Sequence, residues 1–308
     1  MSRRFLIGLW IIAGVGTADA ADFDIRDETG FRKIVAPDAR LERLATGMQF
    51  TEGPVWVPQA GGSLVFSDIP ADELKQWTAK DGVTTFRKPS RNANGNTVDR
   101  QGRLVTCEHT GRRVSLLDGD GAVRTLADQF DGKKFNSPND VVVKTDGTIW
   151  FTDPDYGLGR NPRELDGCWV FRFDPKTKNI RVVAKDFDKP NGLCFSPDEK
   201  RLYIADSGKA HHIRVFEVQS DGAAADSRVL CVIQPGVPDG IRCDADGRVW
   251  SSAGDGVQVF NPSGELIGKI LVPEPPANLC FGGADGKTLF ITARTSLYSI
   301  PVRVRGAK

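Results

Sequence analysis

Short apolar and polar runs alternate along this chain, and they are grouped. Residues 192–196 form one apolar run, and Pro197-Asp198-Glu199-Lys200 is a turn. Arg201-Leu202-Tyr203-Ile204-Ala205-Asp206 is a second run rich in strand formers, and residues 213–218 alternate as a third. Ser220-Asp221-Gly222 turns the chain into a fourth run over residues 228–233. The pattern predicts four antiparallel strands joined by tight turns, and it recurs. Each recurrence opens on a polar head: Glu52-Gly53-Pro54-Val55-Trp56, Asn94-Gly95-Asn96-Thr97-Val98, Asn139-Asp140-Val141-Val142-Val143, Asn191-Gly192-Leu193-Cys194-Phe195, Asp239-Gly240-Ile241-Arg242-Cys243 and Ala277-Asn278-Leu279-Cys280-Phe281. The heads lie 38 to 52 residues apart, a repeat length that with four strands per unit indicates propeller blades.

The expected fold is therefore all-β: a six-bladed β-propeller over residues 21–308 with four antiparallel strands per blade. The last repeat lacks a fourth strand, and residues 41–45 stand in the phase of one, so the N-terminal strand is expected to close the last blade beside residues 297–304. Closure of this kind leaves no open edge between first and last blades. No stretch carries a sustained helical period. First strands line the channel of a propeller and run in one sense, which gathers the six heads at one mouth. Second strands return there, placing Glu108-His109, Asp153, Asp206, Ser252 and Arg294 at its rim. Trp56, Trp150 and Trp250 recur by blade and are expected in the core.

The first twenty residues depart from this pattern. Arg3-Arg4, an apolar run over residues 5–15 and Ala18-Asp19-Ala20 have the parts of a secretory signal peptide cut after Ala20. The run is short for a membrane span, so no stable membrane insertion is expected after cleavage, and the location is periplasmic or secreted. The arginine pair leaves both the general secretory and the twin-arginine routes open. In the 308-residue chain, 41 Lys and Arg oppose 40 Asp and Glu, a net charge of +1. That near balance, without a basic stripe, argues against a nucleic-acid partner. Six cysteines occur without a Cys-x-x-Cys pair, and no disulfide connectivity follows from their spacing.

Candidate chemistry lies in the heads. Glu52, Asn94, Asn139, Asn191 and Asp239 are oxygen-bearing residues in one phase. Carboxylates aimed at each other are costly unless protonated or bridged. Oxygen donors without Cys or His suit one hard divalent cation, with Ca²⁺ first and Mg²⁺, Mn²⁺ or Zn²⁺ as alternatives. At the rim, His109 has the chemistry of an acid, a base or a hydrogen-bonding group. Asp153, Tyr156 and Asp206 are candidate substrate contacts along with Asn94 and Asn139. No Gly-x-Ser-x-Gly elbow occurs, which removes the usual signal of a serine hydrolase.

The ordered set of heads, with Ser137-Pro138-Asn139-Asp140-Val141, Trp150-Phe151-Thr152-Asp153-Pro154 and Lys189-Pro190-Asn191-Gly192-Leu193, resembles the senescence-marker-protein/gluconolactonase/luciferin-regenerating-enzyme family, in its bacterial gluconolactonase-like branch. The resemblance implies a six-bladed propeller with one catalytic divalent cation held by Glu52, Asn191 and Asp239. It implies Asn139 as a further ligand or substrate contact. The animal sugar-lactonase members carry Arg two residues before that Asn; here the residue is Ser137. The implied activity is opening of a small sugar lactone by metal-activated water, with Asp239 as ligand and proton acceptor. Two other readings stand beside it: a phosphotriesterase or other esterase on the same site, and a propeller that binds a ligand or partner without catalysis.

Overall fold

The computed structural model describes residues 18–20 and 23–307. Six antiparallel sheets follow one another in chain order. Their first strands are Thr51–Val57, Ala93–Val98, Val141–Val143, Pro190–Phe195, Ile241–Cys243 and Pro276–Gly282. Each of these touches the next, and the sixth touches the first, so they form a closed ring around the axis of a six-bladed propeller. Blades one to five each take four consecutive strands. Blade six takes three from the end of the chain, and its fourth is Arg40–Thr46, paired antiparallel with Ser296–Pro301 in the register Leu297 with Ala45. The expected closure is present.

The blades are held together by apolar side chains at their mutual faces. Trp150, on a second strand of blade three, is fully buried and meets Phe195 of blade four edge to face at 5.4 Å. Trp250 of blade five meets Phe281 of blade six in the same way at 5.3 Å. Such pairs contribute about 0.5–1.5 kcal/mol beyond the area they bury. Each indole N–H keeps a partner inside its own blade: Thr148 Oγ1 at 2.9 Å and Asp244 Oδ2 at 3.0 Å.

The segment before Arg40 adds structure that the alternation pattern did not predict. Phe23–Ile25 pairs with Leu266–Leu271 as a fifth strand on blade five. The short helix Glu28–Arg32 follows, its Asp27 cap accepting the Gly30 N–H at 3.0 Å. Phe31, Ile34 and Val35 are buried in the cluster between blades five and six. Residues 1–17, which carry the arginine pair and the apolar run, lie outside the described residues. Ala18–Ala20 pairs with residues 40–42 as an outer strand on blade six. Among the described residues no helix is long and apolar enough to cross a membrane, and all six cysteines are buried free thiols.

Candidate active site at the channel mouth

Where the heads begin, the sheets break register. In blades one, two, four and six the first strand carries an extra residue relative to the second, between Glu52 and Val55, Ala93 and Asn96, Pro190 and Leu193, and Pro276 and Asn278. A bulge of this kind re-aims a side chain and is frequent beside active sites. In blade three the head stands just ahead of its strand, tied by Asn139 N–H to Thr152 O at 2.8 Å. In blade five Asp239 N–H donates to Ser252 Oγ at 3.2 Å.

The residue after the head explains the recurrent glycine. The Gly95 N–H donates to Asn139 O at 2.7 Å, Gly192 to Asp239 O at 3.1 Å, and Gly240 to Ala277 O at 2.7 Å, so blades two, four and five are each stitched to the head of the next. A Cβ on Gly192 would lie 2.3 Å from Asp239 O, which no side chain tolerates. Blades three and six carry Asp140 and Asn278 instead, and the preceding blade makes room: a Cβ on Gly95 would meet Asp140 Oδ1 at 2.6 Å, and one on Gly240 would meet Asn278 at 2.0 Å.

The expected residues come together at this mouth. Glu52 is buried and accepts the Asn278 Nδ2 at 2.9 Å and its neighbour's Gly53 N–H. Burial, and next the Asp140 charge, push its carboxyl up to about 7. Asp239 is half-buried. Burial, and next the charges of Glu52 and Asp140, push its carboxyl well above the usual range, while a hydrogen bond from Asn191 opposes the rise. Asn191 Nδ2 donates to Ser207 Oγ at 2.9 Å, and Ser207 in turn donates to Pro238 O at 2.6 Å. Asn94 Nδ2 stands 3.1 Å from His109 Nε2. The carbonyl oxygens of Asn94 and Asn191 are both buried without a hydrogen-bond partner, a costly state in a dry site. Asn139 is buried beside them, its backbone shared between Thr152 and Gly95.

Other expected site residues take different places. Asp153 is fully buried and its two oxygens accept the N–H groups of Asn136 and Ser137, each at 2.8 Å. Asp206 accepts from Asp188 and Lys189 at 3.1 and 2.8 Å. Asp68, in the same phase of blade one, accepts from Gln49 and Phe50. In all three blades the donors are the residues three and two places before the head. These carboxylates cap the turn that delivers the head, a positioning job. His109 is buried, and burial pushes its imidazole down to about 4. It is neutral at physiological pH, and an amide nitrogen facing it can only donate. Tyr156 is 49 % exposed. Burial and the nearby Asp239 charge push its phenol up to about 12, and the nearby Ser207 hydroxyl opposes the rise.

Three polar residues of this layer were not singled out by the head pattern. Asp140 is fully buried and pairs across the channel with Arg242 at 3.1 Å, from blade three to blade five. Asn278 fixes Glu52. Ser207 fixes Asn191. Beyond the Asp140–Arg242 pair the channel opens into a cavity of about 370 Å³, lined by Trp56, Phe195, Cys243 and Phe281 among others and by the C-terminal Arg305, Gly306 and Ala307. The ion pair is thus the floor of the mouth.

The donor set fits a hard divalent cation. It offers one buried and one half-buried carboxyl that repel each other, and two carboxamide oxygens without partners. Among the described residues no three His, Cys, Asp or Glu side chains group closely enough to hold a metal by themselves. A cation here would rest on Glu52, Asp239 and Asn191 together, with Asn94 and Asn139 beside them.

The family model of the SMP-30/Gluconolactonase/LRE-like region matches residues 50–295. The chain is 33% identical over 295 residues to a gluconolactonase of Zymomonas mobilis, covering 86% of this chain and 82% of that one. It is 30% identical over 250 residues to a 6-deoxy-6-sulfogluconolactonase of Pseudomonas putida, covering 79% and 82%. A solved gluconolactonase from Xanthomonas campestris superposes with a TM-score of 0.87 at 36% identity, over 94% of this chain and 99% of that one. The chain belongs to the SMP-30/gluconolactonase/LRE-like family of propellers.

Proposed function

We propose that this protein hydrolyses a sugar lactone at the channel mouth, assisted by one divalent cation on Glu52, Asn191 and Asp239. The observation that carries the reading is the pair of partnerless carboxamide oxygens, on Asn94 and Asn191, beside two mutually repelling carboxyls. A neutral binding pocket has no use for that arrangement. The relatives named as lactonases support the substrate class, and an aldonolactone is the first choice. Oxygen donors favour Ca²⁺, with Mg²⁺, Mn²⁺ and Zn²⁺ as alternatives.

When bound there, a divalent cation supplies Lewis acidity toward a carbonyl oxygen and makes water more acidic. The chain's own residues do the rest. Asp239, half-buried and within reach of solvent, takes a proton from the attacking water as the water oxygen bonds to the acyl carbon. The acyl–oxygen bond of the ring then breaks, and the proton held by Asp239 passes to the departing ring oxygen, leaving a hydroxy acid. The carboxamides of Asn139 and Asn94 are placed to accept sugar hydroxyls. The Tyr156 ring covers one side of the mouth, and the Asp140–Arg242 pair closes the floor.

Hydrolysis of a panel tests the substrate class: gluconolactone, a pentonolactone, an unsubstituted valerolactone and a dialkyl aryl phosphotriester, each with the four cations in turn. The aldonolactones are expected to be opened fastest. Faster cleavage of the phosphotriester than of every lactone overturns the assignment in favour of an esterase of another class.

The protein is further read as exported, on the basic start, apolar run and Ala18-Asp19-Ala20 of the sequence. Intact-mass measurement on native protein is expected to show a chain beginning at Ala21. A chain retaining residues 1–20 in the cytoplasm contradicts it.

A further inference from the structure

Both partnerless carboxamides are oriented through the same short stretch of chain. Ser137 is fully buried. Its Oγ donates to Pro154 O at 2.6 Å and accepts the Gly157 N–H at 2.9 Å, while its own N–H is held by Asp153. One side chain thus closes the 154–157 turn from both ends. A second tie comes from Lys189, which is hydrogen-bonded to Asp155, with Arg163 3.7 Å from the same carboxylate. Two neighbours in this turn then face two heads. Gly157 packs against the base of the His109 ring, so close that a Cβ would stand 2.4 Å from its Cγ, and His109 faces the Asn94 amide. Tyr156 lies close to Ser207, and Ser207 faces the Asn191 amide.

Hydrogen-bond logic fixes the direction at Ser207. Its single proton goes to Pro238 O, so it can only accept from Asn191. The NH₂ of Asn191 must face Ser207, and the carbonyl oxygen must face away from it. At Asn94 the same orientation goes with the tautomer whose Nε2 is unprotonated and accepts from the amide.

We propose that the 154–157 turn, anchored by Ser137, is a clamp that sets both head carboxamides with their oxygens toward the mouth. Ser137, Tyr156, Gly157, His109 and Ser207 are positioning residues in this scheme. Donor oxygens already facing inward need no reorganisation when a ligand arrives.

The inference rests on the cation reading for its first test and not for its second. In the first, calorimetry measures Ca²⁺ and Mn²⁺ affinity of metal-free protein. Ser137→Ala and Ser207→Ala, which loosen the ligand Asn191, are each expected to weaken binding by about 10–100-fold, the usual effect of losing an outer partner of a ligand, while His109→Ala, which acts on Asn94, is expected to leave cation affinity near wild type and to raise the KM for lactone. His109→Gln, which returns an acceptor to Asn94, is expected to bring that KM back toward wild type. Folded Ser137→Ala and Ser207→Ala with wild-type affinity overturn the clamp. In the second test, asparagine-labelled metal-free protein is followed by NMR. The Nδ2 protons of Asn94 and Asn191 are expected to exchange slowly in wild type and fast in Ser137→Ala. Fast exchange of both in wild type overturns the clamp, whatever the calorimetry shows. Protected amides in a protein that binds no cation sink the cation reading and leave the clamp standing.

Discussion

Asp239→Asn is expected to lower lactone turnover by about 10²–10⁴-fold, the range set by losing a general base, while His109→Ala costs less. The substitution keeps a ligating oxygen and the shape of the side chain but removes the proton acceptor. Asp239 is the head carboxyl that retains exposure, and its environment raises its basicity through burial and the Glu52 charge. His109 cannot take over. Burial holds its imidazole near 4 and the ring is packed between Asn94 and Gly157. Saturating-metal kinetics, with occupancy measured separately, checks the contrast. An active, metal-loaded Asp239→Asn beside an inactive His109→Ala assigns the base to the histidine.

Glu52→Gln is expected to cut divalent-cation affinity strongly and to change the pH dependence of stability. Coulomb attraction between a carboxylate and a dication is large in a partly dry site, and the amide retains none of it. The folded carboxyl of Glu52 sits near 7 against an ordinary 4.5. A raised acid favours the folded state fully below the unfolded value. That contribution is lost as pH rises through about 4.5 to 7. Metal-free wild type should therefore lose stability across that window, by on the order of 3 kcal/mol, and added cation should restore it at the upper end. Glu52→Gln should show a flatter profile and little response to cation. Thermal melts from pH 4 to 8, with and without Ca²⁺, read both effects. An equal cation response in wild type and Glu52→Gln removes Glu52 from the site.

The ring was legible because its signals are local. Alternation, turn residues and a recurring polar head at one phase are all in the linear pattern, and the strand Arg201–Asp206 lies where that pattern puts it. Five of the heads were legible for the same reason. What escaped was chemistry created by neighbours in space. The glycine after each head was read as part of a motif, yet its cause is the carbonyl of the next blade, visible only when two blades meet. Asp140 and Asn278 broke that glycine rule in plain view. A polar side chain where four blades tolerate none was the available signal for the floor and for the partner of Glu52. Asp153 and Asp206 drew attention as rim carboxylates, but their oxygens are taken up by backbone N–H groups of the loop before each head. Asp68 does the same work and was passed over. The 154–157 turn reaches both Asn94 and Asn191 through His109 and Ser207, contacts between distant parts of the chain that no spacing encodes.

The central claim is that the oxygen-lined mouth opens lactones only when it holds a divalent cation. It is tested most directly by pH-stat titration of aldonolactone opening by metal-stripped protein, followed by stepwise return of Ca²⁺, Mg²⁺, Mn²⁺ or Zn²⁺. Stripped protein is expected to show no rate above the uncatalysed background, and activity should return to a plateau at one equivalent of at least one of the four cations. Full activity in the stripped protein, or no activity with any of them, contradicts the claim.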